Sequence, residues 1–187
     1  EKGTPGFTVL KIEKKMGMRA SETAALSLED VRIHKDHLLG GEERYKGGSS
    51  EGFKVAMKTF DTTRFMVGLL GVGIGRAAYE IAKDTAKECY LLGRPIARYQ
   101  SIREKIADME RKLDAGRLLG WNAAYMADMG IPNSVESSMA KAYGAKVGKE
   151  CCREAMGIVG NHSTERRRLL EKCYRDIPIF DIFEGTG

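Results

Sequence analysis

The chain has 187 residues, of which 42% are hydrophobic and 30% are charged, and its formal net charge is +5 at pH 7. This composition is typical of a globular protein, and because no run of 18 or more apolar residues occurs, we expect no membrane span. Basic residues mostly alternate with acidic ones, as in Lys83-Asp84 and Lys87-Glu88. The positive charge therefore predicts solvated helix faces and no nucleic-acid partner.

The amino-terminal residues are predicted to form strands. Residues 7–14 are rich in β-branched side chains, and residues 23–33 place Ala24, Leu26 and Leu28 on one face. Two or three strands do not form a stable sheet domain alone, so we expect them to pair with chain outside these residues. The glycine-rich connection that follows predicts a domain boundary between residues 1–47 and 48–187.

The second domain is predicted to be helical, because its apolar residues recur with helical spacing. Helix-breaking glycines and prolines divide it into four segments. They are found in Gly93-Arg94-Pro95, in Gly130-Ile131-Pro132, and at Gly157 and Gly160. The predicted helices cover residues 51–90, 99–129, 135–156 and 164–174, and Pro178 precedes the apolar run Ile179–Phe183. Four helices joined by short loops favour an antiparallel four-helix bundle. The predicted fold class is α+β, mostly α.

Several motifs have structural explanations. Gly71-Val72-Gly73-Ile74-Gly75 lies inside a helical segment and follows no strand, which predicts close helix packing and not a nucleotide-binding loop. His34 and His37 have no third ligand nearby, so no metal site is predicted. The cysteines form no C-x-x-C pair and predict free, small packing residues in a reducing compartment. They are Cys89, Cys151, Cys152 and Cys173.

Glu184 is the strongest candidate for a catalytic residue. It follows the apolar run Ile179–Phe183 and precedes Gly185. A carboxylate at the end of an apolar segment is expected to lose part of its water, which makes it a stronger base. The alternative is a first-turn glutamate of a following helix, where the helix dipole favours a negative charge. The residues around it leave both interpretations open.

Short motifs along the whole chain resemble, in order and spacing, those of the acyl-CoA dehydrogenase family. Each is weak alone, but their combination over all 187 residues is specific. In chain order they are Gly3-Thr4-Pro5-Gly6, Met16-Gly17-Met18-Arg19 with Ser21 and Thr23, Leu28-Glu29-Asp30-Val31, Gly52-Phe53, Phe60-Asp61-Thr62-Thr63-Arg64, Gly93 with Pro95 and Gln100, Tyr174-Arg175-Asp176 and Phe183-Glu184-Gly185-Thr186.

The resemblance implies a central β domain followed by a carboxy-terminal helical bundle. Residues 1–47 would be the last strands of the β-barrel-like domain and residues 48–187 the bundle, roughly half of a full-length member. Because the other half would carry much of the flavin and substrate site, we expect the isolated 187 residues to be inactive.

The resemblance also implies a reaction, the FAD-dependent α,β-dehydrogenation of an acyl-CoA thioester to the 2-enoyl-CoA, with electrons passed to an electron-transferring flavoprotein. Glu184 would be the catalytic base, and its backbone N–H would help to hold the thioester oxygen. Some branches carry the base as a Glu just before the arginine at position 64, but that residue is Thr63 here. The resemblance assigns Asp61, Thr62, Thr63, Arg64 and Gly185 to the substrate and Gln100, Gly160 and Thr186 to the cofactor.

Departures from the family pattern affect the flavin contacts. Many members have an arginine and a phenylalanine where this chain has Cys89 and Leu92, and a glutamine and a glycine where it has Gly157 and Asn161. The arginine, from a neighbouring subunit, would reach the flavin pyrophosphate. The resemblance implies a homodimer or homotetramer in the cytoplasm or the mitochondrial matrix. The alternative is a non-catalytic or half-site subunit of a heteromeric enzyme, with weakened flavin binding.

Overall fold

The structure is a computed structural model that describes residues 3–45, 50–166 and 168–185. The chain divides into two compact units, Glu1–Lys58 and Thr59–Gly187. Helix α1, Ser50–Glu88, begins in the first unit and continues into the second.

The first unit contains one antiparallel ribbon, formed where the sequence predicts strands. Strand β1, Phe7–Ile12, pairs with β2, Ala24–Leu28, and the register is interrupted between Val9 and Lys11. Apolar side chains on both strands, including Val9 and Leu28, are exposed. A ribbon of this kind has little stability alone. Its apolar surface is typical of strands that belong to a larger sheet.

The helices of the second unit match the four predicted segments. After α1 come α2, Gln100–Asp128, α3, Ser134–Val159, and α4, Leu169–Asp176. A last turn, α5, covers Ile179–Ile182. The prediction of a mostly helical α+β chain is therefore confirmed.

Three details differ from the sequence prediction. Gly157 lies inside α3, because the helix continues to Val159 before Gly160 ends it with a positive φ. Helix α4 begins five residues later than predicted, because Gly160–Thr164 forms a 3-10 helix. The two-residue strands β3, Tyr90–Leu91, and β4, Arg94–Pro95, form a hairpin directly after α1 that the sequence analysis did not predict.

Glycines bring α1 and α3 into backbone contact as parallel neighbours. A Cβ added to Gly68 would lie 2.3 Å from the carbonyl oxygen of Ala140, and one added to Gly144 would lie 2.3 Å from that of Gly68. Further along both helices, a Cβ on Gly75 would lie 3.0 Å from the Cα of Gly148. The prediction of close helix packing is thus confirmed for Gly71 and Gly75 and is wrong for Gly73, which faces open space.

The other helices complete an up-down-up-down bundle. Helix α2 runs against α1, since Leu113 packs near Gly75 and Gly120 faces Leu69. The segment of α4 and α5 runs antiparallel to α3. Leu170, near the start of α4, lines the same cavity as Val159 at the end of α3, and Asp181 of α5 contacts Lys141 nearer the start of α3. Large buried side chains fill the space between the helices: Phe65, Val72, Met109, Leu113, Val147, Ile158, Leu170, Ile177 and Phe180.

One helical stretch among the described residues, Gly52–Glu88, is long and apolar enough to cross a membrane by length and composition. Half of its most apolar window is buried. Its packing against α3 explains the apolar composition, so the stretch is weak evidence for a membrane span.

The cysteines are all free, but they do not all pack in the core as predicted. Cys151, Cys152 and Cys173 are buried, and burial raises the pKa of the Cys151 and Cys152 thiols to about 12. Cys89 is exposed, which corrects the prediction for this residue. It lies just beyond the end of α1, where the chain leaves the bundle to form the β3–β4 hairpin.

We expect alanine to have opposite effects at two glycines of α1. Gly68→Ala forces a methyl group against a backbone oxygen and should destabilise the fold by about 2 kcal/mol or more. Gly73→Ala meets no atom within 4 Å and should stabilise it by about 0.5–1 kcal/mol, because alanine is the better helix former. Denaturant unfolding of the two variants measures both effects. Equal stability changes would contradict the close contact of α1 and α3.

Candidate active site

Glu184 has an unusual backbone and an unusual carboxylate. It lies two residues beyond α5 and has φ 56, in the left-handed region that favours glycine. The residue is half-buried, and its Oε2 atom is shielded from solvent and has no hydrogen-bond partner among the described residues. The preceding Phe183 is extended and packs its ring 5.5 Å from that of Phe180.

Both features of Glu184 carry an energetic cost. A left-handed non-glycine residue costs about 1–2 kcal/mol, and a buried acceptor without a partner costs about 1–3 kcal/mol. Strained residues and unsatisfied buried groups are concentrated at functional sites. The left-handed backbone is not that of a residue in the first turn of a helix, so the geometry favours a functional carboxylate.

Arg64 of α1 holds the main chain of Glu184. Its Nε donates a hydrogen bond to the Glu184 carbonyl oxygen at 2.9 Å, and its Nη1 donates to Ser138 Oγ of α3 at 3.3 Å. The guanidinium also lies over the ring of Phe60, 5.4 Å from its centre. The structure thus brings together two residues that are 120 positions apart in the sequence.

Gly185 permits this contact. It has φ 100, which side chains rarely adopt, and a Cβ at this position would lie 3.2 Å from Arg64 Nη2. Any larger residue would therefore be strained and would crowd the guanidinium that fixes Glu184.

The other predicted substrate residues lie on α1 within one turn of Arg64. Asp61 Oδ1 accepts a hydrogen bond from Ser134 Oγ at 2.7 Å, which joins the start of α3 to α1. The hydroxyls of Thr62 and Thr63 donate to the Thr59 carbonyl oxygen of their own helix, at 2.7 and 3.2 Å. The two threonines therefore satisfy their hydroxyls locally.

Lys141 belongs to this site, although the sequence analysis did not identify it. It lies on α3, is 3% exposed, and its Nζ donates to the carbonyl oxygens of Asp181, at 2.9 Å, and Gly185. Burial lowers the pKa of this ammonium; the Asp181 and Glu184 carboxylates oppose that effect, and Arg64 and Lys149 add to it. The sequence signal that could have identified Lys141 is its position one helical turn from Ser137 and Gly144, which are also buried.

The predicted cofactor residues Gln100 and Gly160 lie at the other end of the bundle. Gln100 opens α2, where its exposed amide donates to Glu104 at 2.7 Å, and Gly160 ends α3 with φ 70. At about 1.5 Å per residue, α1 extends about 36 Å from Arg64 to Glu88. Gln100 and Gly160 are therefore distant from Glu184 in the same chain. Thr186, the third predicted cofactor residue, lies outside the described residues.

A cavity of about 410 Å³ opens beside Gly160. Among the residues that line it are Cys89 from the end of α1, His162 and Ser163 from the 3-10 helix, and Arg168 before α4. The Arg168 guanidinium supplies a cation here, shared with Glu165 at 3.0 Å. Gly160 faces open space, which leaves its backbone accessible to a ligand. The Arg168 cation and the Ser163 hydroxyl are groups able to bond a phosphate, whereas the lining also includes the Glu88 carboxylate and the apolar Leu170. Among the described residues, no three His, Cys, Asp or Glu side chains are grouped as metal ligands.

A family model described as the acyl-CoA dehydrogenase, C-terminal domain, matches residues 50–187. The acryloyl-CoA reductase (NADH) of Anaerotignum propionicum is 40% identical over 187 residues, which are the whole of this chain and 46% of that protein.

Solved structures agree with this match. The butyryl-CoA dehydrogenase of Megasphaera elsdenii superposes with a TM-score of 0.92 and 35% identity over 100% of this chain and 47% of its own. A chain from a structure described as the electron-transferring flavoprotein of Acidaminococcus fermentans, in work on flavin-based electron bifurcation, superposes with a TM-score of 0.91 and 37% identity over 100% of this chain and 47% of its own. The chain thus spans about half the length of its relatives, and it belongs to the acyl-CoA dehydrogenase family.

Proposed function

We propose that a protein containing this chain oxidises a short-chain acyl-CoA thioester to the 2-enoyl-CoA, with Glu184 as the catalytic base. The observation that carries the proposal is the buried, unpartnered Oε2 of Glu184. A carboxylate oxygen that is shielded from water, and that has no internal partner, is suited to accept a proton from a bound substrate. The short chain length rests on the relatives named for acryloyl-CoA and butyryl-CoA.

The residues around Glu184 would orient the base against the substrate. Arg64 fixes its carbonyl oxygen, and the left-handed backbone directs the side chain and the main-chain N–H of the same residue. The carboxylate would remove the α-proton while this N–H donates to the thioester oxygen, where negative charge develops. Proton removal and charge stabilisation would then depend on the conformation of one residue.

FAD is the cofactor that the family implies, and when bound it supplies the acceptor for the β-hydride. Gln100, and Gly160 beside the cavity that Arg168 lines, would hold its polar part. Because they lie at the end of the bundle that α1 reaches about 36 Å beyond Arg64, they would serve the active site of another copy. This supports a homodimer or homotetramer. The similarity to a chain from the Acidaminococcus fermentans structure supports electron-transferring flavoprotein as the redox partner.

A second candidate function is that of a half-site subunit in a heteromeric dehydrogenase. The specific observation is that Cys89 and Leu92 are exposed, with Leu92 88% exposed at the tip of the β3–β4 hairpin. A neutral thiol and an apolar tip would give a flavin pyrophosphate no charge-assisted hydrogen bond. In this case Glu184 would work with a flavin whose pyrophosphate is held by a different polypeptide.

The base assignment is tested in the full-length protein with Glu184→Gln. The amide keeps the shape of the side chain but accepts a proton poorly, so kcat should fall at least about 100-fold. Anaerobic bleaching of the flavin absorbance by butyryl-CoA measures the reaction. The matched control is Glu80→Gln, an exposed residue of α1 that bonds Arg76, and it should react like wild type. Undiminished bleaching by Glu184→Gln would refute the assignment.

Replacing Arg64 should also slow the reaction. Arg64→Met removes the hydrogen bond to the Glu184 carbonyl oxygen, and loosening the base should lower kcat about 10- to 100-fold. Arg76→Met removes an exposed arginine from the same helix and should have little effect. Steady-state kinetics of both variants with butyryl-CoA gives the comparison. Equal kcat values would show that Arg64 does not orient the base.

Flavin content separates the two candidate functions. A homo-oligomer with complete sites should purify with about one FAD per chain, determined by absorbance after denaturation. A half-site subunit expressed without its partner should lack FAD and should bind it only when the partner polypeptide is present. Cys89→Arg restores the cation of the family pattern, and in the half-site case it should increase FAD binding.

A further inference from the structure

A second basic residue, from a different helix, holds the same segment as Arg64. Lys141 is 3% exposed on α3, and its ammonium donates hydrogen bonds to the carbonyl oxygens of Asp181 and Gly185. These two residues bracket Glu184. Together with the bond from Arg64 to the Glu184 carbonyl oxygen, cations from α1 and α3 hold three carbonyls within five residues.

Burying an ammonium group to anchor a loop carries a high desolvation cost. Removing a lysine from water is unfavourable unless charge and hydrogen bonds compensate. Here burial lowers the pKa of Lys141, against the opposing effect of the Asp181 and Glu184 carboxylates. The bundle has a less costly tether to the same segment, because Lys149, two turns further along α3 and partly exposed, pairs with the Asp181 carboxylate at 2.5 Å. Attachment of the segment alone therefore does not explain why Lys141 is buried.

The two carbonyl oxygens that accept hydrogen bonds from Lys141 indicate its role. Helix α5 has four residues, too few to fix the chain that follows it. Glu184 must nevertheless keep φ 56, which an L-residue avoids without external support. Lys141 bonds the carbonyls on either side of that residue, at Asp181 and Gly185. This is the arrangement that fixes the torsion angles between them and hence the direction of the Glu184 side chain.

We propose that Lys141 is a positioning residue for the base: its buried ammonium locks the main chain on both sides of Glu184 and so holds the unpartnered carboxylate oxygen in place for the substrate. The proposal rests on the proposed function of Glu184. Lys141 touches no substrate atom in this role and acts only through the main chain of residues 181–185.

The test compares Lys141→Met with Lys149→Met in the full-length protein. Methionine keeps the length and apolar stem of lysine without its hydrogen bonds. Lys141→Met should lower kcat for butyryl-CoA about 100-fold, as expected when a reacting group is misplaced by about 1 Å, while KM changes less than about threefold because substrate contacts remain. Lys149→Met, which loses only the Asp181 carboxylate bridge, should retain kcat within about threefold of wild type.

Two further readouts separate positioning from stability. Substrate deuterated at the α-carbon should give Lys141→Met an isotope effect on kcat at least as large as that of wild type, because proton removal is the slowed step. The flavin absorbance of the free variant and its melting temperature should be close to those of Lys149→Met. Lys141→Gln provides a second variant that keeps a donor in place of the ammonium, and its kcat should lie between those of wild type and Lys141→Met.

The outcomes distinguish this inference from the proposed function. If Glu184→Gln is inactive and Lys141→Met has the kcat of Lys149→Met, Lys141 does not position the base and the inference alone fails. If Glu184→Gln is fully active, the proposed function itself fails. A loss of kcat without an α-deuterium isotope effect, or a failure of both Lys141 variants to fold, assigns Lys141 to the stability of the bundle and overturns the proposal.

Discussion

The backbone contact between α1 and α3 determines where the site residues meet. Gly68 and Gly144 let the two parallel helices approach until a Cβ on either glycine would collide with a main-chain oxygen of the other helix. Arg64 lies one turn before Gly68, and Lys141 lies about one turn before Gly144. The close approach therefore places two cations from different helices beside the same short segment. A wider separation of α1 and α3 would leave Arg64 unable to reach both Ser138 and Glu184.

The segment that receives these cations could not hold its conformation alone. After α4, the chain has only the single turn of α5 before Glu184, and a left-handed glutamate followed by a positive-φ glycine is an unfavourable sequence of backbone states. Hydrogen bonds to three carbonyls within five residues, at Asp181, Glu184 and Gly185, offset that cost. The bundle can thus be understood as a rigid support that keeps one carboxylate in a strained position.

The sequence predicted the helices well, because their period is a local property of the chain. It did not predict Lys141, because a single lysine in an amphipathic helix is most often solvated, and its burial depends on a segment 40 residues further along. It predicted Cys89 to be packed, because helical periodicity does not show that the helix ends one residue earlier. Glu184 was recognised by its apolar neighbours. Its left-handed backbone and unpartnered oxygen depend on Arg64 and Lys141 and have no local sequence signal.

The two ends of the bundle can vary independently. Glu184, Arg64 and Lys141 lie at one end, while Cys89, Gln100 and Gly160 lie at the other, and α1 extends about 36 Å between them. The presence of Cys89 instead of a cation at the far end changes no described contact of Glu184, and the chain retains the Arg64 and Lys141 bonds to its segment. If one chain supplies its two ends to two different active sites, loss of a flavin contact at the Cys89 end weakens the site of a neighbour and leaves the contacts of Glu184 in its own chain intact. The separation of the two ends along the bundle thus allows the Cys89 end to change without altering the contacts of Glu184.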